Sequence, residues 1–149
     1  MKKILFVCHG NICRSPMAEY VMRHLVTEAG CDATYLIDSA ATSAEELGNP
    51  VYPPVRKKLA EHNIACGGHK ARQICHNDYD YYDLIIGMDK YNMQNMYRFF
   101  RDDPQGKLHI LSEYSDVGHD VADPWYTRDF ETTYRDVLAG CTGLFQFLS

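Results

Sequence analysis

Cys8, Arg14 and Ser15 have types and a spacing that suggest chemistry. The segment reads Cys8-His9-Gly10-Asn11-Ile12-Cys13-Arg14-Ser15-Pro16. In a tight loop that opens a helix, backbone N–H groups converge on one point and cradle an anion. Gly10 and Asn11 tolerate the left-handed backbone that such a loop needs. Arg14 can grip two phosphate oxygens with a planar fork. Cys8 sits at the base of the cradle, where the same dipoles stabilise a thiolate. An anionic nucleophile is therefore expected at neutral pH, with Ser15 placed to donate a hydrogen bond to the sulfur. A phosphoryl group in transfer spreads charge over its equatorial oxygens, so amides and an arginine can serve it without a metal. The bland alternative is a buried cysteine and a surface arginine that happen to lie six apart. The strand before them and the Ser-Pro after them argue against it.

Other residues carry weaker signals. Asp123 precedes Pro124 in the loop-like stretch Gly118-His119-Asp120-Val121-Ala122-Asp123-Pro124. Proline biases Asp123 towards an extended backbone, and an Asp-Pro pair is ordinarily a turn. A phosphate ester with an aryl leaving group needs a proton donor, so Asp123 and Asp120 are both candidates. Trp125 and Tyr126 follow directly, and beside a phosphate site they would form an aromatic wall. A deep slot of that kind admits a phosphorylated tyrosine in preference to a shorter phosphoserine. His62, Cys66, His69, Cys75 and His76 cluster in sequence, but their spacing fits no zinc motif. No metal and no cofactor are expected.

These residues need elements to hold them. Ile4 to Cys8 is an unbroken apolar run, as in a strand buried on both faces. Ser15 as N-cap and Pro16 at the first helical position open a helix. Ala18, Val21, Met22, Leu25, Val26 and Ala29 continue it, and Gly30 ends it. Further strands are expected at Thr34–Ile37, Asp83–Met88 and Leu108–Leu111. Further helices are expected at Val55–Asn63, over residues 90–100, and along the stripe from Phe130 to Leu148. Strands alternating with helices predict an open four-stranded parallel sheet, α/β in class, with helices on both faces. Its functional site should lie at the carboxyl ends of the strands.

The chain has 149 residues, 46% of them apolar and 23% charged, which suits one domain over residues 1–149 with one core. A formal net charge of −5 argues against nucleic-acid binding. The apolar run after Lys2-Lys3 is too short for a signal peptide, and no segment is expected to insert in a membrane. The six cysteines, none spaced as CxxC, are expected as reduced thiols in a cytoplasmic protein.

The string Val7-Cys8-His9-Gly10-Asn11-Ile12-Cys13-Arg14-Ser15-Pro16 resembles the signature of the low-molecular-weight protein tyrosine phosphatases. So do Asp38-Ser39-Ala40-Ala41-Thr42-Ser43, Gly48-Asn49-Pro50, His69-Lys70-Ala71-Arg72-Gln73, Met88-Asp89 and Asp123-Pro124-Trp125-Tyr126, in order along nearly the whole chain. The resemblance implies a flavodoxin-like, three-layer fold and hydrolysis of phosphotyrosine through a cysteinyl phosphate. Cys8 would be the nucleophile, Arg14 the phosphate clamp and Asp123 the general acid and then base. His9, Gly10, Asn11, Ile12, Cys13 and Ser15 would surround the phosphate, with Trp125 and Tyr126 against the substrate ring. Asn11, Ser39 and His69 would hold the loop, and Asp89 would support it near His69. Tyrosine-phosphorylated proteins or peptides would be substrates, and phosphate, sulfate and vanadate ligands. Cys13 would protect Cys8 by forming a reversible disulfide.

One departure concerns the cleft. Family members often carry an aromatic residue shortly after the position of Ser43, whereas Ala44, Glu45 and Glu46 stand there. That wall, with Glu45 in the substrate-binding set, is expected to be acidic and to disfavour acidic residues beside the phosphotyrosine. Two rivals remain. A thiol-relay arsenate reductase would share the anion loop but needs further cysteines, and Leu84 to Met96 contains none. A non-catalytic phosphotyrosine-binding module would keep Arg14 but has no use for both Cys8 and Asp123.

Overall fold

The structure, a computed structural model, describes residues 1–149. Strand β1 spans Lys2–Cys8 and α1 Arg14–Glu28. A single 3-10 turn leads into β2, Tyr35–Ala41, and a long loop into α2, Pro53–Glu61. A short α3, Asn77–Tyr81, precedes β3, Leu84–Gly87. Helix α4, Lys90–Phe100, leads to β4, Leu108–Ile110. A 3-10 turn at Leu111–Tyr114, the single-turn α5 at Pro124–Thr127 and the long α6 at Phe130–Leu148 complete the chain. The sheet order is β2-β1-β3-β4, with every pairing parallel.

The apolar run of β1 has the environment its composition requires. Ile4, Leu5, Phe6 and Val7 are all fully buried, because β1 is central and each sheet face is covered. Side chains alternate along a strand. Ile4, Phe6 and Cys8 join the cluster built with Met17 and Met22 of α1, Leu59 of α2 and Val137 and Leu144 of α6. Leu5 and Val7 face the opposite layer, with Ile85 and Met96. Burying the four apolar side chains contributes on the order of 10 kcal/mol before chain entropy is counted. The parity also places Cys8 on the face that α1 covers, so the first turn of α1 lies over its sulfur.

Helix α6 closes against the turn at Leu111–Tyr114 because two glycines let it approach. A side-chain carbon on Gly140 would collide with Leu111, and one on Gly143 with the carbonyl of Tyr114.

Helix α1 begins at Arg14, and its N-cap residue is Cys13. Ser15 is therefore not the N-cap, and Pro16 sits third in the helix, still in the first turn where no N–H is needed. Strand β2 runs on through Ser39 to Ala41, and α2 starts at Pro53. The short helices α3 and α5 lie in stretches where no element was expected.

Candidate active site

The parallel sheet brings the ends of β1, β2 and β3 to one edge, and the loops after them meet there. A cleft of about 240 Å³ opens at this edge, between the Cys8–Arg14 loop, Glu45 and Glu46 after β2, and Asp123, Trp125 and Tyr126 before α6.

The Cys8 sulfur is surrounded by donors. The N–H groups of Asn11 and Ser15 each approach it at 3.4 Å, and the Ser15 hydroxyl lies 3.0 Å away. The backbone N–H groups of Ile12, Cys13 and Arg14 have no acceptor within the chain. Free donors around a sulfur at a helix N-terminus form a site for negative charge.

The loop holds this shape because Asn11 is locked. Its φ is 62°, in the left-handed region, and it is fully buried. Its Nδ2 donates to Ser15 Oγ at 2.8 Å and to Ser39 Oγ at 2.9 Å. Its Oδ1 accepts from the Arg72 N–H at 3.1 Å, and its carbonyl oxygen lies 2.8 Å from His69 Nε2. Ser39 in turn donates to buried Glu19 Oε1 at 2.5 Å, and Arg23 pairs with Glu19 Oε2 at 2.6 Å. Burial opposes ionisation of Glu19 and pushes its pKa up, while the Ser39 hydroxyl and Arg23 act against that shift. With Glu19 ionised, Ser39 must give its proton to the carboxylate and accept from Asn11. The Ser15 oxygen also accepts from Asn11, which leaves its proton free to point at Cys8.

Arg14 is almost wholly buried. Its Nη1 donates to Asp89 Oδ2 at 2.7 Å and to the Val121 carbonyl at 2.8 Å. Asp123 Oδ2 lies 3.6 Å from Nη2. Burial works against the guanidinium charge, but Cys8, Asp89 and Asp123 outweigh it and raise the pKa above the ordinary value. Asp123 Oδ1 accepts from the Trp125 N–H at 3.0 Å, so the same carboxylate caps α5. Burial pushes the Cys13 thiol up to about 12, with the charge on Cys8 adding to the shift.

Most of the expected site residues are brought together here. Cys8, His9, Gly10, Ile12, Cys13, Arg14, Glu45, Asp123, Trp125 and Tyr126 all line the cleft. Asn11 and Ser15, fully buried, lie beneath it rather than on it. Ser39 and His69 both bond Asn11. Asp89 supports the loop through Arg14 rather than beside His69: its carboxylate bonds the arginine and caps α4 at the Asn92 N–H. Asp120 instead accepts from the Lys90 N–H at 3.1 Å. The five His and Cys residues clustered in sequence separate, His62 stacking on Tyr134 and His76 on Phe99. Three contributors were not foreseen: Glu19, the Arg72 N–H, and Tyr52, whose N–H donates to the Ile12 carbonyl at 2.9 Å. Glu19 had a readable signal, a carboxylate on the core face of a helix beside Ala18 and Met22, where a charge must be paired.

A parallel α/β sheet with an arginine-bearing anion cradle at the end of its first strand defines a protein that handles a tetrahedral oxyanion. The chain belongs to the low-molecular-weight phosphotyrosine protein phosphatases, whose family profile matches residues 3–149. The low-molecular-weight phosphotyrosine protein phosphatase of Gallus gallus is 38% identical, covering 95% of this chain and 92% of its own length. The crystal structure of YfkJ from Bacillus subtilis superposes with a TM-score of 0.95 at 35% identity, over 99% of this chain and 94% of that one. That of SP-PTP, a low-molecular-weight protein tyrosine phosphatase from Streptococcus pyogenes, gives 0.90 at 39% identity, over 100% and 94%. The protein is thus a phosphatase, and the parallel sheet with its two helical layers is the family's fold.

Proposed function

We propose that this phosphatase hydrolyses phosphotyrosine through a phosphocysteine on Cys8. The observation that carries the reading is the Cys8 sulfur, met by three donors and sharing one cleft with Arg14 and Asp123. The Cys8 thiolate attacks phosphorus, and the S–P bond forms as the bond to the tyrosyl oxygen breaks. Protonated Asp123 gives its proton to that oxygen, and tyrosine leaves neutral. A water then attacks the phosphocysteine and passes a proton to the Asp123 carboxylate. The S–P bond breaks, releasing phosphate and restoring the thiolate.

Arg14 suits the role of clamp because its hydrogen bonds run through Nη1 alone. Its Nε and Nη2 remain to grip two phosphoryl oxygens, while the unpaired amides of Ile12, Cys13 and Arg14 meet the charge that develops in transfer. Trp125 and Tyr126 give the substrate ring a wall. Phosphate, sulfate and vanadate fit the same cradle. A reducing compartment such as the cytoplasm keeps Cys8 in its reduced form. Under peroxide, Cys8 is oxidised to a sulfenic acid, and Cys13 displaces its hydroxyl as water to form a disulfide that thiols reduce again. Unchanged recovery from peroxide in Cys13→Ser would remove that step.

The test is phosphate release from a phosphotyrosine peptide, beside a phosphoserine peptide and Cys8→Ser, in chelator and reductant. Release from phosphotyrosine only, abolished in the variant, is expected. Release by Cys8→Ser, or equal rates on the two peptides, overturns the reading.

A further inference from the structure

Trp125 and Asp123 stand on a helix of a single turn, α5, which has little core of its own. Its exposed face is tied to the rest of the molecule by Tyr52. The Tyr52 ring lies 5.0 Å from the Trp125 ring. The Arg128 guanidinium, just past the end of α5, donates to the Tyr52 hydroxyl at 2.8 Å and lies 5.4 Å from the Trp125 ring centre. Arg128 is itself in the left-handed region, with φ 59°, which turns the chain so that its side chain returns over α5. The backbone of Tyr52 meanwhile belongs to the other half of the site. Its N–H donates to the Ile12 carbonyl at 2.9 Å, and its carbonyl accepts the first bonds of α2, from Val55 and Arg56.

One residue therefore joins the nucleophile loop by its main chain and the acid-bearing turn by its side chain. The geometry points to Tyr52 and Arg128 as positioning residues: together they hold Trp125, and through α5 Asp123, at a fixed place relative to Cys8. This rests on the phosphocysteine reading, in which Asp123 must meet the leaving oxygen. Neither residue touches the phosphate, so their effect should appear in leaving-group protonation rather than in phosphate binding.

Trp125 is the only tryptophan in the chain, so its fluorescence reports on the wall directly. Three variants separate the parts. Tyr52→Phe keeps the ring and removes the hydroxyl. Arg128→Asn removes the cation but tolerates the left-handed backbone, and Arg128→Lys keeps a donor. Each is assayed on phosphotyrosine and on a nitrophenyl phosphate, whose weakly basic leaving group needs little protonation. Acrylamide quenching of Trp125 is measured alongside.

Tyr52→Phe and Arg128→Asn should lower kcat/KM for phosphotyrosine about three- to tenfold, a part of the ~10²–10⁴ that a placed general acid contributes. The loss should be smaller on the nitrophenyl ester, phosphate inhibition unchanged, and Trp125 more open to quencher. Arg128→Lys should recover part of each effect. Equal losses on both esters, or unchanged quenching in both variants, overturns the inference. Inactive wild-type protein defeats the phosphocysteine reading instead, and quenching alone then decides whether the Tyr52–Arg128 tie holds the wall.

Discussion

The loop from Cys8 to Ser15 is largely buried and braced through the side chains of Asn11 and Arg14, whereas the segment from Asp123 to Arg128 lies mostly at the surface. Asn11 and Ser15 are fully buried and Arg14 is 3% exposed, while Trp125 is 44% and Tyr126 82% exposed. The contrast fits the two tasks proposed for them. A thiolate and the charge on a transferring phosphoryl group need dipoles already aimed, because reorienting them during reaction would cost energy. A general acid must take up and release protons and let substrate in and product out, which a solvent-facing turn allows. Removing a side chain that braces the buried half should cost both fold and activity, whereas an isosteric change at the sulfur or damage to the exposed half should cost activity alone.

The largest effect is expected at the sulfur. Cys8→Ser should lower phosphate release by roughly 10⁴-fold or more, as removal of other covalent nucleophiles does, with little change in melting temperature because the volume is similar. Next comes Asp123→Asn, with a loss of ~10²–10⁴ on phosphotyrosine. Asparagine caps a helix as well as aspartate, so α5 should persist and stability should stay within about 0.5 kcal/mol. A large drop in Tm for this variant would break the comparison, since it would make the acid-bearing turn part of the framework.

Asn11→Gly probes the buried half. Glycine keeps the left-handed backbone, so the variant isolates the side-chain amide. Ser15 Oγ, Ser39 Oγ and the Arg72 N–H lose their partner in a place water reaches poorly, at a cost of about 1–3 kcal/mol. Denaturant unfolding should show that loss, and kcat should fall about tenfold as the Ser15 proton loses its direction, an effect within the range of a mispositioned site. An active variant of unchanged stability would show that the loop needs no such lock.

Much of the buried half was legible in sequence because its signals are local. The apolar run Ile4 to Cys8 can be continuous only if both faces of the strand are covered. The spacing from Cys8 to Arg14 is one loop's length, and Asn11 is of a type that tolerates the left-handed region. The start of α1 was misplaced because Ser15-Pro16 has the composition of a cap. The serine hydroxyl instead faces the Cys8 sulfur at 3.0 Å, the contact that the loop reading expects of it, and Cys13 takes the cap position. Ser39 to Ala41 did not read as strand because Ser39 is polar, and its polarity is spent on Asn11 and Glu19. The exposed half was less legible. A helix of four residues has no periodicity, and the tie from Arg128 to Tyr52 spans 76 residues, so only the fold brings the two together.

The smallest effect concerns the rim. Glu45 and Glu46 line the cleft opposite the aromatic wall. His9 Nε2 lies 3.0 Å from Glu45, and Asn49 donates to Glu46 at 2.5 Å, so both carboxylates are held at the lip. The Glu45 side chain is 68% exposed, and charges in that setting act through a medium close to water. Each contributes a fraction of a kcal/mol to about 1 kcal/mol at contact distances. Phosphopeptides with basic residues beside the phosphotyrosine should therefore exceed acidic ones by about two- to fivefold in kcat/KM at low salt. The preference should shrink as ionic strength rises and the Debye length falls to about 10 Å at 0.1 M. Glu45→Gln with Glu46→Gln should erase it without changing the rate on a small aryl phosphate, which does not reach the lip. Arg14, bound to Asp89 beneath the cradle, should keep its salt-insensitive grip throughout, because buried charges are screened far less. A preference for acidic peptides, or one that survives high salt, would assign selectivity to shape rather than to charge and would leave the aromatic wall as its source.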